Sequence, residues 1–253
     1  MNTYRLELHV HTVLSPCAEV EMIPPLIVQQ ALDLGIDVIA ITDHNASANV
    51  AAVQKAAEGT PLVVLPGMEL QTREEVHLLC LFETLEQLNA WQAEVDQRLP
   101  DLANRPEFFG EQFVVDETGD FLHREHRLLI TSARISLSEA VARVHELDGL
   151  CIPAHIDRRA FSLIANLGLI PQDIPFDALE VSRHTTPAEL TAQYPESRRF
   201  PLIMSGDVHR LDEFLGATTM IAAAPTFPEL RLALKGDAAR SLRVPSGTNG
   251  VQP

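Results

Sequence analysis

The sequence is nearly without lysine. Lys55 and Lys235 are the only two, and with arginine the basic total reaches 19 against 35 acidic residues, a net charge of −16. Phosphate backbones are gripped largely by Lys and Arg, so this balance argues against long nucleic acid as a partner. It does not exclude a small phosphorylated molecule, because bound divalent cations would dominate the local field at contact range. Cysteine is also scarce. Three residues, an odd number without framework spacing, do not describe a disulfide scaffold. Cys80 and Cys151 stand inside apolar runs and read as small core residues. No apolar stretch approaches the roughly 20 residues that cross a bilayer, so no membrane partner is expected. The opening Met1–Glu7 is too polar for a signal peptide, which leads to an expected cytoplasmic location. What is present, 46% hydrophobic and 21% charged residues over 253 positions, suits one α/β barrel or two small domains.

Short apolar runs alternate with helical patterns, the signature of βα units around a largely parallel sheet. Strands are expected at about 4–10, 36–42, 61–70, 76–82, 150–154, 177–181, 201–205 and 217–222. Helices are expected at 24–34, opened by Pro24-Pro25 and stopped by Gly35, and at 47–57 with Ser47 as N-cap. Others are expected at 85–99, at 136–147 behind the capping box Ser136–Glu139, and at 227–234. The stretch 100–127 breaks the rhythm. It contains a hairpin over 113–122 turning at Thr118-Gly119 and reads as an insertion, a lid or an oligomer contact. With no repeat and no linker, one domain is expected over 1–236, followed by a tail, 237–253, expected to be mobile over 244–250. Nothing in the sequence specifies an oligomeric state.

The chemistry lies in the strand ends. His9 and His11 are one residue apart in an apolar run, and residues i and i+2 of a strand point to one face. Asp207 and His209 repeat that spacing after Leu202-Ile203-Met204, with Gly206 allowing close backbone approach. Asp43-His44, Glu69, His77 and His155 each follow or sit in a further apolar run. Imidazole and carboxylate suit zinc, manganese or iron, and such clustering marks a metal or catalytic site. Of Asp43 and His44, one would bind metal and the other orient it from behind. His123 and His126, in a charged run, and His145, on a helix flank, are left out as structural.

The set His9-Val10-His11-Thr12, Thr42-Asp43-His44, Gly67-Met68-Glu69, a strand His, Pro153-Ala154-His155 and Gly206-Asp207-Val208-His209 resembles the PHP (polymerase and histidinol phosphatase) superfamily, in the right order over about 4–210. The resemblance implies a distorted (β/α)7 TIM-like barrel with a trinuclear metal centre at the C-terminal ends of its strands. It implies a first metal on His9, His11, Glu69 and Asp207, and a second on Glu69, His77 and His155. A third would lie on His44, His209 and a residue of the loop after the first strand. Many members carry Ser-Asp-Gly in that loop; here Ser15-Pro16-Cys17-Ala18 departs from it, and the ligand role passes to Cys17, six residues after His11.

The implied reaction is hydrolysis of a small phosphorylated substrate by a metal-dependent phosphatase or phosphodiesterase using two or three Zn, Mn or Fe ions. Glu69, Asp207 and His209 would be catalytic through the metals that activate water for attack on phosphorus. Arg183 and Arg158 are the expected phosphate clamps. His184 would donate to the phosphate or the leaving group. Three alternatives accompany this reading: an exonuclease or nucleotide phosphodiesterase, an amidohydrolase-type C–N hydrolase, and a non-catalytic metal-loaded regulatory domain. The commonest amidohydrolase form needs a mid-barrel lysine, and neither Lys55 nor Lys235 stands in a strand.

Overall fold

The structure is a computed structural model, and it describes residues 1–246. The strands are β1 (Asn2–Val10), β2 (Val38–Ile41), β3 (Val63–Gln71), β4 (His77–Leu81), β5 (Phe113–Val115), β6 (Phe121–Arg124), β7 (Leu150–Pro153), β8 (Leu179–Val181), β9 (Leu202–Met204), β10 (Thr218–Ala222) and β11 (Ser241–Arg243). The helices are α1 (Pro24–Asp33), α2 (Val50–Ala56), α3 (Leu85–Asp96), α4 (Pro106–Phe109), α5 (Leu137–Glu146), α6 (Leu163–Leu167), α7 (Pro187–Gln193) and α8 (Phe227–Leu234). None of these helices is long and apolar enough to cross a membrane.

One sheet runs β11-β10-β1-β2-β3-β4-β7, and β8 pairs with β9 separately. The two are stitched together at both ends. Asp177 N donates to Cys151 O and Ile156 N to Glu180 O, joining β7 to β8, while Val208 N donates to His9 O and His11 N to Val208 O, joining the end of β9 to β1. The circuit β1-β2-β3-β4-β7-β8-β9 is therefore a seven-stranded distorted barrel, as expected of the family. Strand β4 is antiparallel to both neighbours, because β3 and β4 form a hairpin without a crossover helix. Strands β10 and β11 are an antiparallel addition on the first half of β1, so the sheet runs past the expected domain boundary at 236. Residues 247–250 of the expected mobile tail lie outside the described residues.

The barrel interior has two layers. Leu6, Leu8, Val38, Ala40, Leu65, Leu79, Leu81, Leu150, Ile152, Ala178 and Ile203 form a dry lower plug. Above it, on the same faces of β3, β4 and β8, come Glu69, His77 and Glu180. Strand β1 needs one correction of phase to join this upper layer, since Leu8 and His9 are neighbours and would alternate. A register shift between Glu7 and Val10 against β2 supplies it, so interior Leu6 and Leu8 are followed by interior His9 and His11. Outside the barrel, Ile39, Ile41, Val64, Met68 and Cys80 pack under the helices with Trp91 and Val95 of α3. Cys80 and Cys151 face each other across β4 and β7 as buried thiols.

Helix α2 begins at Val50 with Asn49 as its cap residue, not at Ser47. Asn49 bridges Thr12 Oγ1 and the backbone of Phe113 and Val115, while the Ser47 hydroxyl turns to Gln92. The hairpin β5–β6 is thereby fastened to the loop after β1, with Phe113 N donating to Val13 O. Asp116 accepts three hydrogen bonds from Thr118 and Asp120 and shapes the turn.

Candidate metal centre

The upper layer gathers side chains from seven places in the chain. His9, His11, Glu69 and Asp207 each direct a donor atom to one spot, all within 4.8 Å of one another. His9 Nε2 lies 3.1 Å from His11 Nε2, 3.2 Å from Glu69 Oε1 and 3.1 Å from Asp207 Oδ1. His11 Nε2 lies 3.4 Å from Glu69 Oε2 and 3.2 Å from Asp207 Oδ1. A tetrahedron with metal–ligand bonds of about 2.0–2.1 Å has edges of about 3.3–3.4 Å, so these separations fit a divalent ion at the centre.

Hydrogen bonds behind the imidazoles fix which nitrogen faces inward. His9 Nδ1 is 3.0 Å from Glu180 Oε2, and an ionised carboxylate only accepts, so Nδ1 carries the proton and Nε2 presents its lone pair. Ser15 Oγ donates to Asp43 Oδ1 and therefore accepts from His11 Nδ1 at 2.9 Å, with the same result. His209 Nδ1 donates to its neighbour's carbonyl, Asp207 O, at 2.9 Å. Asp43 is thus the orienting group and His44 the one that faces the cluster. Two lone pairs 3.1 Å apart repel unless a proton or a metal stands between them.

A second group comprises His44, Glu69 and His77, and a third His11, His44 and His209. His44 Nδ1 and Glu69 Oε2 are 2.8 Å apart, yet both are buried without a hydrogen-bond partner. Buried polar atoms aimed at one point but misaligned for each other fit a shared cation. His77 Nδ1 is 2.8 Å and His155 Nε2 3.3 Å from Glu69 Oε1, so Glu69 touches all these groups with its two oxygens. Cys17 is exposed and lines the cavity with His44 and His209, but its sulfur is not among the donor atoms that the third group brings together.

Backbone strain helps to aim these groups. Asn45, His155 and Asp207 have φ of +50°, +29° and +50°, uncommon for residues with a Cβ. Gly206 permits the turn before Asp207, since a Cβ there would meet Glu213 O at 2.2 Å. Glu7, buried below, accepts from Gly206 N, Leu215 N and Gly216 N at 2.6–2.8 Å and holds that turn in place.

The electrostatics follow from burial in a mixed cluster. Burial pushes His9 down, but the carboxylates of Glu180, Asp207 and Glu69 outweigh it and leave its pKa well above the usual range. Burial also opposes His44, and Glu69 and Cys17 again raise it well above that range. His11 goes well below it, through burial and the neighbouring His209 and His44. Glu69 and Asp207 lie well below the carboxylate range; burial would raise them, and the surrounding imidazoles overcome it. Burial would raise Cys17, but His44 and His209 bring the thiol to about 6.

A cavity of about 700 Å³ opens beside the cluster, lined by Cys17, His44, His77, His155, Arg158 and Phe161 among others. A second hollow of about 540 Å³ shares Cys17, Arg158, Asp207 and His209 with it and adds Arg183, His184 and Arg210. Arg158 pairs with Asp207 Oδ2. Arg183 is less free than a phosphate clamp requires, because its Nη2 donates to Gly206 O and Glu213 O at 3.1 Å. His184 is exposed in the loop after β8. His123 and His126 are exposed on the hairpin and its exit, and His145 meets Asp177 outside the barrel. Lys55 pairs with Glu117 on the surface and Lys235 caps α8, so neither lines the centre.

Sequence reasoning missed Glu180, Glu7 and Ser15. Glu180 offers a signal: a lone carboxylate inside the strand Leu179-Glu180-Val181. Its His9 partner is recognisable only once the barrel closes.

A barrel with this polar crown is the architecture of a divalent-metal protein. A family model described as PHP domain matches residues 7–162, and the chain belongs to that family. Comparison with curated proteins gives no match. Among solved structures, the lesion-specific endonuclease Q of Pyrococcus furiosus is similar at TM-score 0.71 and 18% identity, covering 95% of this chain and 58% of that one. Endonuclease Q bound to a 27-mer duplex with an abasic lesion at its active site is similar at TM-score 0.69 and 19% identity, over 95% and 58% of the two chains. The chain thus spans less than two thirds of that endonuclease. A Bifidobacterium adolescentis protein proposed to be a metal-dependent phosphoesterase is similar at TM-score 0.54 and 19% identity, over 81% and 87%.

Proposed function

We propose that this chain is a metal-dependent phosphoesterase acting on a small phosphorylated substrate. The observation that carries the reading is the convergence of donor atoms from His9, His11, Glu69 and Asp207, all within 4.8 Å of one another, beside a cavity that Arg158 and Arg159 line. In this reading, His9, His11, Glu69 and Asp207 hold a first divalent ion, and Glu69, His77 and His155 a second. His44 and His209, with Cys17 at their edge, hold a third; the thiolate favours zinc or iron there. Such ions supply an activated water and neutralise charge on the phosphoryl group.

The protein's part is to position. Glu180, Ser15 and the Asp207 carbonyl keep three imidazoles in the tautomer that binds metal. Arg158 pairs with Asp207 and lines the cavity, where its guanidinium would meet the oxygens of a bound phosphate. Arg183 steadies the Gly206 turn and presents its remaining N–H groups to the same hollow. His184 at the rim is the candidate proton donor to the leaving group.

A second reading, a nuclease, is favoured by the likeness to endonuclease Q over 95% of this chain. That likeness weighs against the expectation that an acidic chain avoids long nucleic acid. The test is elemental analysis of the purified protein with a phosphate-release screen over monoesters, diesters and a duplex carrying an abasic site. Metal with monoester turnover supports the first reading, duplex cleavage the second, and metal without any turnover leaves the regulatory domain.

A further inference from the structure

We propose that Phe161, together with Phe109, forms an aromatic seat for a planar leaving group, and that the ester taken here is a nucleoside phosphate. This rests on the phosphoesterase reading above. Phe161 has φ +55°, a conformation costly for a bulky residue. The residue is 43% exposed, so core burial does not repay that strain. The conformation is nonetheless held firmly. His77 N donates to Phe161 O at 3.0 Å, and the ring stacks on the His77 imidazole at 5.0 Å and 18°. On the next residue, Ser162 Oγ donates to Arg158 O and accepts Ala165 N at the start of α6. One face of the ring is therefore spent on a side chain of the cluster, and Phe161 also lines the cavity.

Phe109, 37% exposed, reaches the same cavity from α4. It is kept there by Gly110, at φ +100°, which packs so closely on Pro16 that a Cβ would lie 2.0 Å from its carbonyl. Ile130 and Ala160 complete an apolar wall, while Arg158 and Arg159 line the same space. An apolar, aromatic wall next to arginines and metal ligands suits a phosphate ester whose alcohol carries a flat ring. The common biological ring of that kind is a nucleobase. Stacking tolerates any base, so little discrimination among bases is expected. The volume, about 700 Å³, is in the range of a single small ligand.

The test uses the full metal-loaded chain, with Phe161→Leu and Phe161→Tyr as variants. KM is measured for nucleoside 5′-monophosphates and for glycerol phosphate, and binding of unphosphorylated nucleosides is followed by calorimetry. Phe161→Leu should raise nucleotide KM and weaken nucleoside binding on the order of tenfold, change the glycerol phosphate KM much less than the nucleotide KM, and be rescued by Tyr. Equal effects on both esters, or no nucleoside binding to the wild-type chain, would overturn the seat. Tighter binding of an oligonucleotide than of mononucleotides would overturn the mononucleotide assignment. A chain that hydrolyses glycerol phosphate but ignores nucleosides loses the seat and keeps the phosphoesterase reading; one that binds nucleosides yet hydrolyses no ester does the reverse.

Discussion

Replacing Glu180 by glutamine tests how the first metal position is built. Glu180 Oε2 lies 3.0 Å from His9 Nδ1 and 2.9 Å from His155 N, so it orients one candidate ligand and anchors the backbone of another. Glutamine keeps an acceptor oxygen and nearly the same shape. It removes the negative charge that makes His9 a stronger donor. Loss of such a partner costs about 10- to 100-fold in metal affinity, or about 1.4–2.8 kcal/mol. The assay is competition against a chromophoric chelator, with thermal melts as the control for folding. One ion of the set should weaken by that factor while the others hold. Unchanged affinity, or equal weakening of every ion, would refute the claim that Glu180 acts through His9.

Three more outcomes are expected. Arg158→Ala should leave metal content intact and raise KM for phosphate esters about tenfold, the size of one lost charge-assisted contact; loss of metal would make it a structural partner of Asp207 instead. Glu7, raised by burial from 4.5 to about 7 despite its three backbone donors, stabilises the fold fully below pH 4.5 and loses that contribution as pH rises through about 7. Glu7→Gln, which leaves one of those donors facing an amide, should therefore cost about 1–3 kcal/mol at low pH, with the gap narrowing toward pH 8 in melts; parallel curves would sink this assignment. Because His9 and His44 hold protons above the usual range, metal loading must expel them, so affinity should keep climbing with pH beyond the ordinary imidazole range, with measurable proton release. A pH-independent affinity would contradict the paired lone-pair geometry.

Much of the site is legible in the sequence because strand periodicity puts i and i+2 on one face. That spacing puts His9 and His11 on one face, and Glu69 and His155 stand in or next to apolar runs that read as strands. His77 was harder: it opens β4 instead of ending a strand, because β4 runs against its neighbours and brings its N-terminus to the crown. The phase change in β1 is invisible in the residues themselves, since only the pairing with β2 reveals the shift between Glu7 and Val10. Glu180 and Glu7 read as ordinary strand carboxylates until closure buries them. Ser47 looked like the cap of α2 because Ser suits that role; the helix instead starts after Asn49, whose amide makes no cap hydrogen bond and fastens the hairpin. Arg183 and Arg158 read as phosphate clamps and line the hollows beside the centre, but the hold of two carbonyls on Arg183 depends on the turn at Gly206, which the sequence does not display.

The most direct measurement is anomalous diffraction from crystals of the chain loaded with zinc or manganese. The account predicts a strong peak about 2.0–2.2 Å from His9 Nε2, His11 Nε2 and oxygens of Glu69 and Asp207, with a second ion on the other side of Glu69. Fully loaded crystals whose ions sit only on surface carboxylates, with the crown of the barrel bare, would contradict it.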